Sequence, residues 1–197
     1  RIVETHGGTG LRLATDQNVI LTGISEAQLP RLLDEPLLEI YSPNPGPFER
    51  GVVACTGSEF CRFGIVETKA NALIWARHLD KHVTTNGSLP IRMHFSGCSA
   101  SCAQPQIADI GFRGETAKTE CAIVEAVDIG LGGSLGRDAA FIDWIAGAVP
   151  STEIPDVLVR LVNRFEHEKR DDERFHEWAR RTPNDELRET VTGTGKV

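Results

Sequence analysis

The chain has 197 residues, 40% of them hydrophobic and 25% charged, the make-up of a globular protein able to bury a core. Its formal net charge of −7 excludes nucleic acid as a main partner, because phosphate binding needs a basic surface. No stretch approaches the roughly 20 apolar residues of a membrane span, and five cysteines leave one over in any disulfide framework, so a reducing, cytoplasmic setting without a membrane partner is expected.

The first residues are polar and run into a glycine-containing segment, unlike a signal peptide. The only methionine is Met93, and the reading expects Arg1 to lie inside a longer protein. Residues 9–23 predict two short strands: Leu11 and Leu13 alternate with polar neighbours, Asp16-Gln-Asn18 turns the chain, and Val19-Ile-Leu21 returns. Ser25-Glu-Ala-Gln28 has the form of a capping box for a helix over 26–35, with Leu29, Leu32 and Leu33 as its apolar stripe and Pro36 near its end. Ser42-Pro-Asn-Pro-Gly-Pro47 cannot be helix or central strand and predicts a junction between two units.

Gly51-Val-Val-Ala54 predicts a short buried strand leading into Cys55. A helix is expected over 64–81, with Leu73 and Ile74 on its inner face. Asn86-Gly87 predicts a turn into the strand Ile91-Arg-Met-His-Phe95, which leads to Cys98. Ile107–Phe112 and Ala122–Ile129 predict two more strands, the second apolar enough to be covered on both faces. Gly130–Gly136 reads as a flexible glycine loop. Helices are expected over 152–167, 172–181 and 184–190. The class is α+β (mixed α/β).

Four cysteines stand in two tight pairs: Cys55 and Cys61 with five residues between them, then Cys98 and Cys102 with three. Each pair begins where a predicted strand gives way to a loop containing a glycine, Gly57 or Gly97. Soft thiolates at such spacing suit an iron–sulfur cluster. Spacing alone leaves open a zinc site, although C-x5-C is wide for structural zinc. It also leaves open disulfides or buried free thiols.

The surrounding residues carry a resemblance. Cys55-Thr-Gly-Ser-Glu-Phe-Cys61-Arg-Phe-Gly-Ile-Val-Glu-Thr-Lys69 resembles the first cluster motif of the assimilatory nitrite and sulfite reductases. Ser96-Gly-Cys98-Ser-Ala-Ser-Cys102-Ala-Gln-Pro-Gln-Ile-Ala-Asp-Ile-Gly-Phe-Arg-Gly114 resembles the second. Leu11–Leu21 looks like the ferredoxin-like half-repeat that precedes the cluster domain, and Glu125-Ala-Val-Asp-Ile-Gly-Leu-Gly-Gly133 looks like the family's glycine loop.

The resemblance implies residues 1–45 as the C-terminal part of a ferredoxin-like half-repeat. It implies residues 46–197 as a [4Fe–4S]/sirohaem domain with C-terminal helices. Carried over, Cys55, Cys61, Cys98 and Cys102 hold a [4Fe–4S] cluster, and Cys102 also reaches the iron of sirohaem. Gly132 and Gly133 could bring backbone N–H groups to a sirohaem carboxylate, or form an ordinary turn. The implied substrates are nitrite or sulfite, the implied donor a ferredoxin, and a missing N-terminal half would supply the groups that grip the anion. Cys55-Thr-Gly and Ile65-Val-Glu-Thr-Lys69 look like the nitrite type, in which nitrite is reduced to ammonia during nitrate assimilation. Alternatives are sulfite reductase, the related precorrin-3B synthase, and an electron-transfer module without catalysis. The chain departs from the family between the second pair, where Ser99-Ala-Ser101 replaces Pro-Asn-Ser or Pro-Asn-Gly.

Other residues receive plainer readings. Arg62 and Arg113 lie near the cluster loops and could raise a cluster's potential, with a surface role favoured for Arg62. Arg12, Gln17 and Asn18 are read as structural, His94 as packed in the core, and Cys121 as a buried small hydrophobe at the start of a strand. Arg160, Arg164, Lys169, Arg170 and Arg174 are read as a solvated basic face that could also meet an acidic ferredoxin.

Overall fold

The computed structural model describes residues 1–85 and 90–193, so the turn expected at Asn86-Gly87 lies outside the described residues. The chain forms two compact units, Arg1–Pro45 and Gly46–Val197.

In the first unit, α1 (Ile2–Thr5) precedes β1 (Gly10–Leu13) and β2 (Val19–Thr22), followed by α2 (Leu29–Leu33) and α3 (Leu37–Ile40). The strands pair antiparallel with Leu13 opposite Val19, and Gln17 turns the chain at φ +65°. The helix expected over 26–35 is shorter and its capping box is not made. Pro30 explains the change. A helix begun at 26 would place its ring against the Glu26 carbonyl, so the helix starts where Pro30 falls in the first turn. Only Leu32 of the expected stripe is buried.

The second unit is built on a five-stranded sheet ordered β3 (Val52–Ala54), β4 (Met93–Ser96), β5 (Ile110–Lys118), β6 (Ile123–Leu131), β7 (Asp143–Pro150). The first three strands are parallel and the last three antiparallel. Helix α4 (Lys69–His82) joins β3 towards β4, and α5 (Ile154–Glu168), α6 (Phe175–Arg181) and α7 (Asn184–Thr192) follow the sheet. Alternate strand residues form one face: Met93 and Phe95, Ile110 and Phe112, Val127, Ile129 and Leu131. They join Trp75, Leu79, Leu158, Phe165 and Trp178 of the helices in a single core.

Several expectations change here. Helix α4 begins at Lys69 rather than 64, because the N–H groups of Ile65 and Val66 both go to the Gly97 carbonyl instead of to a helix turn. Its inner face is Ala72, Trp75, Ala76 and Leu79, while Leu73 and Ile74 face outward. The strand expected at Ile107 begins at Ile110, after a one-turn 3₁₀ helix at Pro105–Ile107. Strand β6 is not covered along its length: Ile123 is exposed and burial begins at Ala126. Gly130 lies within β6, and Ser134 bridges to Ala140, so the glycine segment is ordered structure and not a free loop. Strand β7 had no counterpart among the expectations. Cys121 is exposed in the β5–β6 connection.

Candidate functional site: a four-cysteine cavity at the strand ends

Parallel strands β3 and β4 lie side by side, with Ala54 opposite Phe95, and both run into cysteine loops. Sites in open α/β sheets form where parallel strands end, because each chain leaves the sheet there. The Cys55 N–H donates to the Phe95 carbonyl, which extends the pairing up to the first ligand candidate. A tight turn then brings in Cys61, whose N–H donates to the Gly57 carbonyl, and Gly64 N–H donates back to Cys61.

The second loop is held as closely. Gly97 accepts the N–H groups of Ile65 and Val66, so the two cysteine loops are tied by backbone bonds. Gly97 and Gly114 must both be glycine. A Cβ on Gly97 would stand 2.8 Å from the Val66 oxygen, and one on Gly114 would meet the Gly97 backbone. Beyond Cys98, Ser101 and Gln104 adopt φ of +59° and +54°, a left-handed conformation costly to residues with a Cβ. Hydrogen bonds hold them: Ser101 N–H to Cys98, Ser101 Oγ to Ser99, and Gln104 N–H to Ser101. Ala103 N–H donates to buried Ser96 Oγ, closing the loop around Cys102.

Cys55, Cys61, Cys98 and Cys102 therefore line one cavity of about 70 Å³, together with Thr56, Gly57, Gly64, Ser96 and Gly97. That exceeds the roughly 10–15 Å³ on the same measure that holds one water molecule. All four are free thiols, with Cys102 the one exposed member. Among the described residues, no three His, Cys, Asp or Glu side chains converge as they would on a single metal ion. A zinc tetrahedron needs its sulfurs about 2.3 Å from one centre. A cube spreads its ligands over four irons, so its sulfurs need not meet at one centre. The Gly97 N–H donates to Cys55 Sγ at 3.2 Å, a bond that favours an electron-rich sulfur. Donor type, cavity and sulfur hydrogen bond fit an iron–sulfur cube.

The other candidates fall elsewhere. The register sets Ser96 beside Arg113 and Asp128 at the cysteine end, and Met93 beside Ile110 and Leu131 at the other end. Gly132 and Gly133 follow Leu131, so they are not brought to the cavity. Their backbone is committed to packing. Gly132 N–H donates to the Asp109 carbonyl and its own carbonyl accepts Arg180 Nε. A Cβ on Gly133 would lie 2.5 Å from the Ala108 oxygen. Arg113 is at the cysteine end, but its guanidinium is paired with Asp128 at 2.7 Å and lies over Trp144. Arg62 is exposed, as are Arg12, Gln17 and Asn18. His94 Nδ1–H donates to the carbonyls of Ala103 and Gln104, so this histidine braces the Cys102 loop, and burial pushes its pKa down.

The basic residues of the last helices are not simply solvated. Arg164 spans Glu168 and Glu186, Arg160 donates to the end of α7, and Lys169 pairs with Glu166. A larger cavity of about 1100 Å³ lies beside Asp109 and His176, at the sheet end away from the cysteines. Its buried polar groups serve one another. Asp109 accepts Arg92 Nε and His176 Nδ1, each at 2.9 Å. Spacing gave no signal for this trio, whose members are 17 and 67 residues apart.

The family model described as the nitrite and sulphite reductase 4Fe-4S domain matches residues 46–196. The chain belongs to the nitrite and sulfite reductase family. The family's ferredoxin-like half domain matches residues 1–38. The ferredoxin–nitrite reductase of Synechococcus elongatus is 45% identical over 166 residues, covering 84% of this chain and 32% of that protein. The assimilatory ferredoxin-dependent nitrite reductase of Haloferax mediterranei is 38% identical over 179 residues, covering 90% and 30%. Among solved structures, the NirA protein of Mycobacterium tuberculosis superposes with a TM-score of 0.87 at 31% identity, over 95% of this chain and 35% of that one. Dissimilatory sulfite reductase I shares the fold, with a TM-score of 0.70 at 13% identity over 100% and 65%. The chain spans about a third of the length of the curated relatives it matches. Among the described residues, no helix is long and apolar enough to cross a membrane.

Proposed function

We propose that Cys55, Cys61, Cys98 and Cys102 ligate a [4Fe–4S] cluster, and that the protein carries out the six-electron reduction of nitrite to ammonia with a ferredoxin-type donor. The observation that supports this reading is that all four cysteines, from two tied strand-end loops, line one cavity. Cys102 is proposed as the ligand shared with sirohaem, and its exposure supports that role, since a shared sulfur needs an open side. When bound, the cluster supplies single electrons and the sirohaem iron supplies the centre at which the anion is reduced.

The residues of this chain have their own tasks. The Cys55 loop and the Gly97 loop fix three sulfurs before loading, which limits the reorganisation that electron transfer requires. His94 and Ser96 hold the segment that aims Cys102. The contact of Gly132 and Gly133 with a sirohaem carboxylate rests on resemblance, and their position at the opposite sheet end gives it no support. Groups that grip the anion are proposed to lie in the part of the relatives that this chain does not span. The chain by itself is then expected to hold the cluster without turning over. The family description covers sulfite as well, which makes sulfite the second substrate to test.

The test is anaerobic loading of the protein with iron, sulfide and sirohaem, read by optical spectroscopy. Nitrite is expected to shift the tetrapyrrole bands. Alanine at any of the four cysteines should abolish the cluster band, whereas Cys121→Ala should keep it. A cluster band that survives replacement of all four would refute the ligand assignment.

A further inference from the structure

Thr68 stands where a helix cap is expected and does not cap. It directly precedes α4, yet its hydroxyl makes no bond to the helix. Glu67 takes that task, its carboxylate accepting the N–H groups of Lys69 at 2.9 Å and Ala70 at 3.1 Å. The Thr68 hydroxyl is turned instead to Cys55, donating to the Cys55 carbonyl at 2.8 Å and lying 3.7 Å from Cys55 Sγ. The residue is 3% exposed.

Both cysteine loops are shaped around this residue. Gly57, at φ +77°, lies so close that a Cβ there would be 2.7 Å from the Thr68 nitrogen and 2.9 Å from its Oγ1. A Cβ on Gly97 would stand 3.3 Å from Thr68 Cγ2. Gly97 is also the residue whose N–H donates to Cys55 Sγ. Two donors, one backbone and one hydroxyl, thus border the same sulfur.

We propose that Thr68 is a positioning residue that tunes the redox potential of a cluster held by Cys55. This rests on the cluster reading above. A thiol can give its own proton to the threonine oxygen. A thiolate bound to iron is an acceptor alone, so the hydroxyl becomes a donor shared between the Cys55 carbonyl and its sulfur. Hydrogen bonds to ligand sulfur favour the reduced, more negative cluster and raise its potential. The carbonyl bond fixes the hydroxyl in place, and the short gap to sulfur lets it respond to charge.

The experiment is a redox titration of the cluster-loaded protein followed by electron paramagnetic resonance, comparing wild type with Thr68→Val, Thr68→Ala and Thr68→Ser. Valine keeps the shape and removes the hydroxyl, so its midpoint potential should fall below that of wild type. Serine should restore the wild-type value. Alanine serves if valine does not fold or load, and should shift in the same direction. A loaded valine or alanine protein with the wild-type potential overturns the proposal. So does a serine protein that loads fully but shares the lowered potential. Loss of the cluster in both valine and alanine proteins, with serine normal, also overturns it, because the hydroxyl would then hold the loop without tuning the sulfur. A wild-type protein that binds no cluster would instead contradict the cluster reading.

Discussion

His94 shows how a side chain near the cysteines serves them without touching any of the four. Its Nδ1–H is spent on two carbonyls of the segment that follows Cys102, and burial makes the charged ring costly, so its pKa is held below the ordinary histidine value. At Asp109, burial pushes the carboxyl up, but hydrogen bonds from His176 and Arg92 outweigh it and hold the group below the usual carboxylate range. Both groups bind protons more weakly in the folded chain than in the unfolded one. Their contributions are therefore complete at neutral pH and lost on acidification, His94 starting near about pH 6.5 and Asp109 below about pH 4. Urea unfolding midpoints measured across this range should fall on acidification, and His94→Gln should remove the part lost below about pH 6.5. An unchanged profile in that variant would mean that His94 titrates alike in both states. The identity of the four cysteines was open to inspection, but the roles of His94 and Thr68 were not, because each depends on a partner brought close by folding.

Elements differ in how openly their sequence announces them. Val157, Leu158, Leu161, Val162 and Phe165 repeat at helical spacing, and all are buried in α5. In α4 the same argument picks the wrong face. Its core side carries two alanines beside Trp75 and Leu79, which weigh little in a hydrophobic count, while the more apolar Leu73 and Ile74 point outward. Trp75 decides the matter by packing on Phe95 and Phe112, with ring centroids 5.5 and 5.6 Å away. Strand β7 is disguised for another reason. The β6–β7 register shifts beside Asp128, whose carboxylate accepts Ala148 N–H, and Ala148 takes φ +51°. That irregularity breaks the alternation expected of a strand. The closing helices depend on a second aromatic group, Phe165, Phe175 and Trp178, with centroids 5.3–5.6 Å apart. Trp178 is fully buried and gives its Nε1–H to Glu168. Trp178→Ala is expected to cost about 3–5 kcal/mol, from lost packing and the cavity left behind. Trp178→Phe should cost less, about 1.5–3 kcal/mol, from the lost hydrogen bond to a carboxylate and the smaller ring. Equal losses in the two variants, measured by denaturant unfolding, would contradict this ordering.

In the molecule as a whole, one end of the sheet gathers the chemistry and the other gathers bracing. Parallel strands β3 and β4 deliver four thiols to one cavity, and the Gly97 carbonyl ties the two loops together. At the far end, Arg92, Asp109 and His176 lock the strand starts to α6. This division explains why the cysteine motifs could be recognised from local sequence while the order of the glycine segment, expected as a flexible loop, could not. Cysteine loops are short and continuous, whereas the surroundings of Gly132 and Gly133 come from α6 and from the segment before β5. The cavity is proposed to hold a cube rather than a single ion. Mössbauer spectroscopy of the protein loaded with iron-57, alongside iron and labile-sulfide content, addresses it directly. The arrangement predicts one [4Fe–4S] cluster per chain, with four irons and four sulfides. A single tetrahedral iron bound by the same four thiols, with no labile sulfide, would contradict it.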